Sequence, residues 1–483
     1  MKPCIIAALV LTSSFFCAPV AEATEKPDIL FIAIDDMNDW TTLFDKKNPI
    51  KTPNLERLAA RGTLFSNAYC VVPACGPSRA ALLMGYRPET TGLFENTVST
   101  VKLETLPDAV SLPQYFRNNG YMAKGAGKVF HHTGVDRGDD PRGTEQSWDH
   151  FRKMGRTTSP HLNGFTIPDE ITKSVGKDRL AGAAFDWGEI SDDVRQGDED
   201  VYDYVAQRMA EKWDKPMFLA AGIFRPHLPF YASTEFFDMY PLDQVVMPPM
   251  PANDLDDVPA IGRKMAAREG FIYEETTKFQ PADLRSLERM VQSYQAASSY
   301  TDSMVGRLLD KLDASGRADN TIIVLWSDHG YHLGDKTSAV KFTLWDKATR
   351  VPFIIVAPGV TKPGSRCETP VSLLNIYPTL LELAGLPPKA DNDGVSLVPL
   401  LKDPKAEWKR PAIMTMGEGN HAVRSEHWRY IRYFDKTEEL YDHEKDPWEL
   451  NNLVGNPEYA PVIAELKQKL RASPTVSLSD EDR

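Results

Sequence analysis

Short apolar runs alternate along this chain with stretches whose apolar positions recur every three or four residues. The runs at residues 29–34 ("ILFIAI"), in "KPMFLAAGIF", in "NTIIVLW" and in "RVPFIIVAPG" read as buried strands. The helical period shows in "TPNLERLAARG", which reads as a capped amphipathic helix stopped by Gly62, and in the short "SRAALLMG". "LPQYFRNNGYMAKGAGKVFHH" reads as helix, turn and strand, and residues 281–315 read as one long helix. Strands alternating with helices predict an α/β fold, a large and mainly parallel sheet flanked by helices. After Leu401 the strand-like pieces shorten, and a helix closes the chain around residues 459–471. That texture predicts a smaller C-terminal α+β domain over residues 403–483, set off from a main domain over residues 24–402. The Pro- and Asp-rich stretch before Phe279, residues 241–279, suits a long surface insertion bordering a site.

The first residues belong to a different pattern. Lys2, an apolar run over residues 5–16, and Ala21 and Ala23 flanking Glu22 have the layout of a signal peptide, residues 1–23. The run falls short of the roughly 20 residues that a membrane span needs, and no later segment is apolar enough to span. Cleavage near Thr24 implies a secreted or periplasmic chain.

A hydrophobic fraction of 42% with 25% charged residues describes a globular protein with ample core. The net charge of −13 argues against nucleic acid, whose phosphates want a basic face. It leaves room for a small anionic ligand, which responds to local charge. Of five cysteines, Cys4 and Cys17 fall within the signal, so Cys70, Cys75 and Cys367 remain. An odd number in an oxidising compartment leaves at least one thiol needing a separate account.

In doubly wound sheets, ligands gather beyond the carboxyl ends of the strands. Asp35-Asp36, His227 and Asp328-His329 all fall at predicted strand ends. Paired carboxylates there suit a hard divalent cation, although either aspartate alone also suits a turn cap. Lys128, His131 and Lys341 add cationic and titratable groups; a lone histidine or lysine is usually structural or solvated. Taken together they form an anion-binding, proton-shuttling set around a metal, which fits phosphoryl or sulfuryl transfer.

"CGPSRAALLMG" fits the signature C-x-P-S-R-x-x-x-L-x-G of the formylglycine-dependent sulfatases at every fixed position. The resemblance extends through "ILFIAIDDMN", "GYRPETTGLFEN", "GKVFHH", "FRPHLPF", "SDHGYHLGD" and "ELYDHEKDPWELNNL", and is nearest the iduronate-2-sulfatase branch. It implies an alkaline-phosphatase-like fold, with residues 24–402 as the catalytic domain. It also implies that a maturation enzyme oxidises Cys75 to formylglycine, whose hydrate is the nucleophile. Asp35, Asp36, Cys75, Asp328 and His329 would hold a divalent metal, calcium by preference, and Arg79 would brace residue 75. Lys128 and Lys341 would bind sulfate oxygens, His131 would drive desulfation, and His227, with Lys341, would protonate the departing alcohol. Elsewhere in the superfamily the His329 position is commonly Asn, and His there supports the iduronate-type branch. His332 departs from the expected pattern and receives no role.

The implied substrate is a sulfated carbohydrate, a 2-O-sulfated uronate or a related polysaccharide, with Arg87 or Arg225 meeting its carboxylate. Two alternatives stand beside this reading: a phosphonate or phosphate monoester hydrolase of the same superfold, and an inactive protein that holds sulfated glycans. Cys70 and Cys367 either pair or are buried free thiols, and the second is favoured.

Overall fold

The structure is a computed structural model that describes residues 26–96, 106, 108–131, 146–152, 187–267 and 284–471. The expected signal, residues 1–23, and the end of the insertion, residues 268–279, lie outside the described residues.

In chain order the main sheet is built from β1 (Asp28–Asp35), β2 (Thr63–Phe65), β3 (Met122–Gly127), β4 (His150–Arg152), β5 (Met217–Pro226), β6 (Thr321–Ser327), β7 (Phe353–Val356) and β8 (Ser365–Cys367). Their spatial order is β8-β2-β7-β6-β1-β5-β3-β4. β1 pairs in parallel with β5 and β6 on either side, while β7 runs antiparallel to both β6 and β2. With β8 parallel to β2, and β3 parallel to β5 and β4, every strand except β7 points the same way. The expected mainly parallel sheet is therefore present.

β1 shows why the chain folds in layers. All eight of its residues are buried, as a central strand covered on both faces requires. Ile29, Phe31 and Ala33 join one apolar cluster, and Leu30, Ile32 and Ile34 join another. Alternate residues thus feed two cores on opposite sheet faces. Helices α2 (Cys75–Met84), α3 (Leu112–Asn118) and α6 (Ile376–Leu383) close the first core with Leu82, Phe116 and Leu380. Helices α4 (Gly197–Met209) and α5 (Leu284–Ala314) close the second with Val205, Tyr300, Met304 and Leu308.

Helix α1 (Pro53–Ala59) corrects one expectation. Thr52 makes no side-chain cap; Asp302 of α5 instead accepts from the Asn54 and Leu55 backbone N–H groups, at 3.0 and 2.8 Å. A partner from elsewhere in the fold satisfies the orphan donors of the first turn.

The C-terminal part is an antiparallel sheet of β9 (Ala412–Thr415), β10 (His421–Arg424), β11 (Trp428–Arg432) and β12 (Glu438–Asp442), covered by α7 (Ala460–Arg471). Its other face packs on Tyr69, Ala74 and Trp345 of the main body. A buried ion network pins this seam. Arg429 Nη2 meets Asp346 at 2.6 Å and Nε meets Glu449 at 2.6 Å, while His443 Nε2 lies 2.8 Å from Glu449. Burial alone would raise the Asp346 carboxyl, but His443, Arg429 and Arg350 hold it well below the usual carboxylate range. Its contribution to stability is present at neutral pH and fades as pH falls below the unfolded value of about 4. Arg429→Met strands two buried carboxylates, so we expect a loss of about 3–5 kcal/mol in urea unfolding at pH 7. A loss under 1 kcal/mol would show that the network is dispensable.

The insertion is less superficial than its composition suggests. Asp254 is buried and accepts from Lys336 Nζ at 2.8 Å, Val258 joins the seam cluster, and Met250 lies against Gly334. Its described part braces the loop that carries Lys341.

Candidate active site

β1, β5 and β6 end at one edge of the sheet, and there the chain places Asp35-Asp36, His227 and Asp328-His329. α2 enters the same place with Cys75 as its first residue. Ala74 precedes it in extended conformation without a side-chain cap, and the Gly76 N–H donates to Asn96 Oδ1 at 2.8 Å. Lys341 Nζ lies 3.1 Å from Cys75 Sγ, His329 Nε2 lies 3.3 Å from it, and His131 hydrogen-bonds it. Burial would raise this thiol, but Lys128, Lys341, His329 and His131 together hold it well below the ordinary cysteine value. The site favours negative charge at the tip of residue 75.

Arg79, one turn further along α2, is fully buried. Its Nε donates to Asp328 Oδ2 at 2.7 Å, its Nη2 lies 3.3 Å from Asp35 Oδ1, and its other contacts are backbone carbonyls of Ile34, Lys128 and Val129. It ties three strand ends to the helix that bears Cys75. Asp36 sits in the left-handed region at φ 65°, a conformation an aspartate tolerates when its surroundings impose it. Tyr294 Oη donates to its carbonyl at 2.6 Å, and its own N–H donates to Asp328 Oδ1 at 3.1 Å. Lys341 Nζ donates to both Asp36 oxygens, at 2.8 and 3.0 Å, and Lys128 forms an ion pair with Asp35.

Three carboxylates, two imidazoles and residue 75 thus present ligand atoms that overlap in two groups, each within 4.8 Å: Asp35, Asp36, Cys75 and His227; and Asp35, Cys75, Asp328 and His329. Both Asp35 oxygens are buried and face cations, Oδ1 towards Arg79 and Oδ2 towards Lys128. Three buried carboxylates with a histidine nitrogen, converging on one point, are a donor set that fits a hard divalent cation. Asp346, His443 and Glu449 form a similar group, but Arg429 and Arg350 already neutralise it.

His227 stands at the rim with a quarter of its side chain exposed and Nε2 4.0 Å from Asp36 Oδ2. Its Nδ1 meets the Leu228 carbonyl at 2.6 Å, and a carbonyl only accepts. Nδ1 therefore carries a proton, and Nε2 is the atom turned to the site.

Both arginines expected at a uronate carboxylate are engaged elsewhere. Arg87 is buried, with Nε on Glu89 at 3.1 Å and its terminal nitrogens donating to the Ile413 carbonyl and Thr415 Oγ1, each at 3.1 Å. Arg225 is 1% exposed, its Nε donates to Gln196 Oε1 at 3.0 Å, and its ring neighbours are Phe224 and Tyr231. Its Nη1 donates to the His227 carbonyl at 3.3 Å, so it supports the histidine loop.

His332 gains a structural role. It bridges Asp335 and Thr343 Oγ1, and its N–H donates to the Val340 carbonyl at 2.9 Å, closing the loop that carries Lys341. Cys70, Cys75 and Cys367 are all free and buried. Two supporting residues escape sequence reasoning. Tyr294 lies mid-helix in "VQSYQAA" with no signal of its role, and Asn96 stands out only within "GLFEN".

The family described as Sulfatase matches residues 27–386, and N-sulphoglucosamine sulphohydrolase, C-terminal, matches residues 334–475. A sulfatase of Formosa agariphila is 38% identical over 93% of this chain and 87% of its own length. Mouse iduronate 2-sulfatase is 32% identical over 76% of this chain and 70% of its own. In fold, the chain matches a structure described in complex with its substrate D-glucosamine-2-N,6-O-disulfate (TM-score 0.72, 22% identity, 95% of this chain and 100% of that one). It also matches a phosphonate monoester hydrolase from Silicibacter pomeroyi (TM-score 0.70, 22% identity, 94% and 97%).

Proposed function

This chain belongs to the sulfatase family and is a sulfuric ester hydrolase, and from that premise we propose its chemistry and substrate. It hydrolyses sulfate esters of a sulfated carbohydrate, a 2-O-sulfated uronate or a related polysaccharide, outside the cytoplasm. The nucleophile is one hydroxyl of a hydrated formylglycine, made when a maturation enzyme oxidises Cys75. The observation that carries this reading is the convergence of Lys341, His329 and His131 on Cys75 Sγ at the start of α2, beside three buried carboxylates. The similarity to iduronate 2-sulfatase supports the uronate. The fold likeness to a phosphonate hydrolase, at 22% identity, favours no second reaction.

Asp35, Asp36, Asp328 and His329, with residue 75, would hold the metal, which we take as calcium. When bound it supplies positive charge for a sulfate oxygen and for the attacking hydroxyl. The residues of the chain do the rest. Lys128 and Lys341, held on carboxylates at the floor of the site, bind sulfate oxygens. One hydroxyl of residue 75 loses its proton to water, the oxygen anion being held by Lys341 and Lys128, and it attacks sulfur as the bond from sulfur to the sugar oxygen breaks. His227 Nε2, aided by Lys341, gives that oxygen a proton. Residue 75 now bears sulfate on one oxygen and a free hydroxyl on the other. His131 takes the proton of that hydroxyl, the bond from carbon to the sulfate oxygen breaks, and the aldehyde re-forms before water rehydrates it.

Mass analysis of the peptide bearing residue 75 in active protein tests this. We expect aldehyde in place of thiol, with turnover of a 2-O-sulfated uronate disaccharide far above that of an aryl phosphate. An intact thiol in fully active protein would sink the proposal. His227→Ala separates the protonation step from the rest. An aryl oxide leaves unaided while a sugar alkoxide does not, so sugar sulfate turnover should fall about 10²–10⁴-fold and aryl sulfate turnover less than about tenfold. Equal losses on both substrates would remove His227 from that role.

A further inference from the structure

Away from the catalytic edge, two cavities of about 950 and 310 Å³ share Trp408, Lys409, Arg410, Pro411 and Lys469 as walls, and so form one groove. In a chain with net charge −13, the larger cavity is lined by six basic residues (Arg366, Lys405, Lys409, Arg410, Arg424 and Lys469) against two glutamates. Arg424 is buried and spent on the carbonyls of Ser425 and Glu426. The other five reach solvent. Three of them make solvent-exposed ion pairs, Lys409 with Glu407 at 3.0 Å, Arg366 with Glu368 at 3.7 Å and Lys469 with Glu465 at 2.8 Å, contacts weak enough for a sulfate group to compete with. Among the described residues Lys405 and Arg410 have no ion-pair partner. Burial and the neighbouring Arg350 push the Arg366 guanidinium down, and Glu368 and Asp45 only partly offset them. Trp408 is half-buried, its ring rooted on the first core where it meets the groove.

The groove is separate from the nucleophile yet opens at the same edge of the sheet. β8 points the same way as β1, and the groove residues Glu368, Thr369 and Pro370 follow its last residue, Cys367. Four strand spacings separate β8 from β1, about 19 Å at ~4.8 Å each. The smaller cavity reaches Arg87, beyond the far end of α2, roughly 15 Å along the helix from Cys75 at 1.5 Å per residue.

We propose that this groove is a second, non-catalytic binding site for the chain of a sulfated polysaccharide, with Arg366, Lys405, Lys409, Arg410 and Lys469 meeting sulfate groups and Trp408 stacking on a sugar ring. The identity of the polymer rests on the sulfated-carbohydrate reading of the catalytic site. A planar indole set among exposed cations suits a pyranose face flanked by anionic substituents. Its position lets one polymer chain occupy the groove while a sulfate a few sugar units away enters the catalytic site. The protein would then stay on its polymer between turnovers, and gain in affinity by effective concentration.

The test is retention of the full chain, as Cys75→Ala, on immobilised dextran sulfate. The triple variant K405E/K409E/R410E changes exposed side chains only, and its melting temperature should match that of its parent. We expect binding at least tenfold weaker and elution at lower salt. Trp408→Ala should weaken binding about tenfold with little change in the salt dependence. In converted protein carrying Cys75, the triple variant should hydrolyse 4-nitrophenyl sulfate within twofold of the unsubstituted rate. Unchanged dextran sulfate binding, or aryl sulfate turnover falling in step with it, would overturn the proposal. Equal affinity for single-stranded DNA would overturn it in favour of a general polyanion surface. A tenfold rise in binding on removing residues 472–483 would assign the groove to the acidic end of the chain itself. Dextran sulfate binding by protein that carries formylglycine at residue 75 yet fails to desulfate sugars would sink the catalytic reading and still support the groove.

Discussion

Cys75→Ser, purified without conversion of residue 75, is expected to release at most one sugar alcohol per molecule and to keep the sulfate on the serine. The site explains both halves of that outcome. A serine oxygen would stand where Sγ now stands, close to Lys341 and His329 at the start of α2. Lys341 and Lys128 still hold and polarise the sulfate, so a first transfer stays open. The second hydroxyl is missing, so His131 has no proton to take and the adduct cannot collapse. Cys75→Ala should show neither turnover nor adduct, a loss on the order of 10⁴–10⁶-fold as for removal of other enzymatic nucleophiles. Peptide mass and a burst assay read the two variants apart. Sustained turnover by unconverted serine would replace the formylglycine route with attack by an activated water.

The same cysteine shows how much of the site could be read from the sequence. In a parallel sheet the carboxyl ends of strands share one edge, so ending "FIAIDD" and "VLWSDHG" in carboxylates already brings Asp35, Asp36, Asp328 and His329 together. The helix pattern of "SRAALLMG" puts its N-terminus at the "CGPSR" turn, and the structure starts the helix at Cys75. Partners set by distant chain segments were not legible. Arg87 and Arg225 look free in sequence, yet the first bonds Glu89, Ile413 and Thr415, and the second bonds Gln196. Nothing local marks Arg87 as buried when Ile413 and Thr415 lie over 300 residues away, nor Arg225 when Gln196 lies 29 residues back on another element. The α1 cap shows the reverse error, since Thr52 is the expected residue type at the expected place while Asp302 satisfies the N–H groups. His332 failed to fit the family pattern because it serves the loop of Lys341 and not the reacting group.

Asp328→Asn is expected to cut activity more than about 100-fold in calcium-poor buffer while leaving the melting temperature of chelator-treated protein within about 3 °C of the unsubstituted chain. The two effects separate because the carboxylate serves the metal more than the fold. Burial holds the Asp328 carboxyl up at about 7, even with Arg79 beside it. A carboxyl raised in the folded state costs stability once pH passes its unfolded value near 4, so the charge burdens the metal-free chain at neutral pH. The amide keeps one oxygen for the N–H groups of Asp36 and His329, which now donate to Oδ1 at 3.1 and 3.0 Å. Arg79 loses its 2.7 Å partner but keeps Asp35 and three backbone carbonyls. The lost negative charge therefore shows in the ion, whose affinity should fall at least about 100-fold. Added calcium should raise the melting temperature of the unsubstituted chain at concentrations that leave the variant unmoved, and millimolar calcium should restore part of the variant's activity. If the variant instead melts far lower without metal and calcium restores nothing, Asp328 is a structural partner of Arg79 and the ion is held by other ligands.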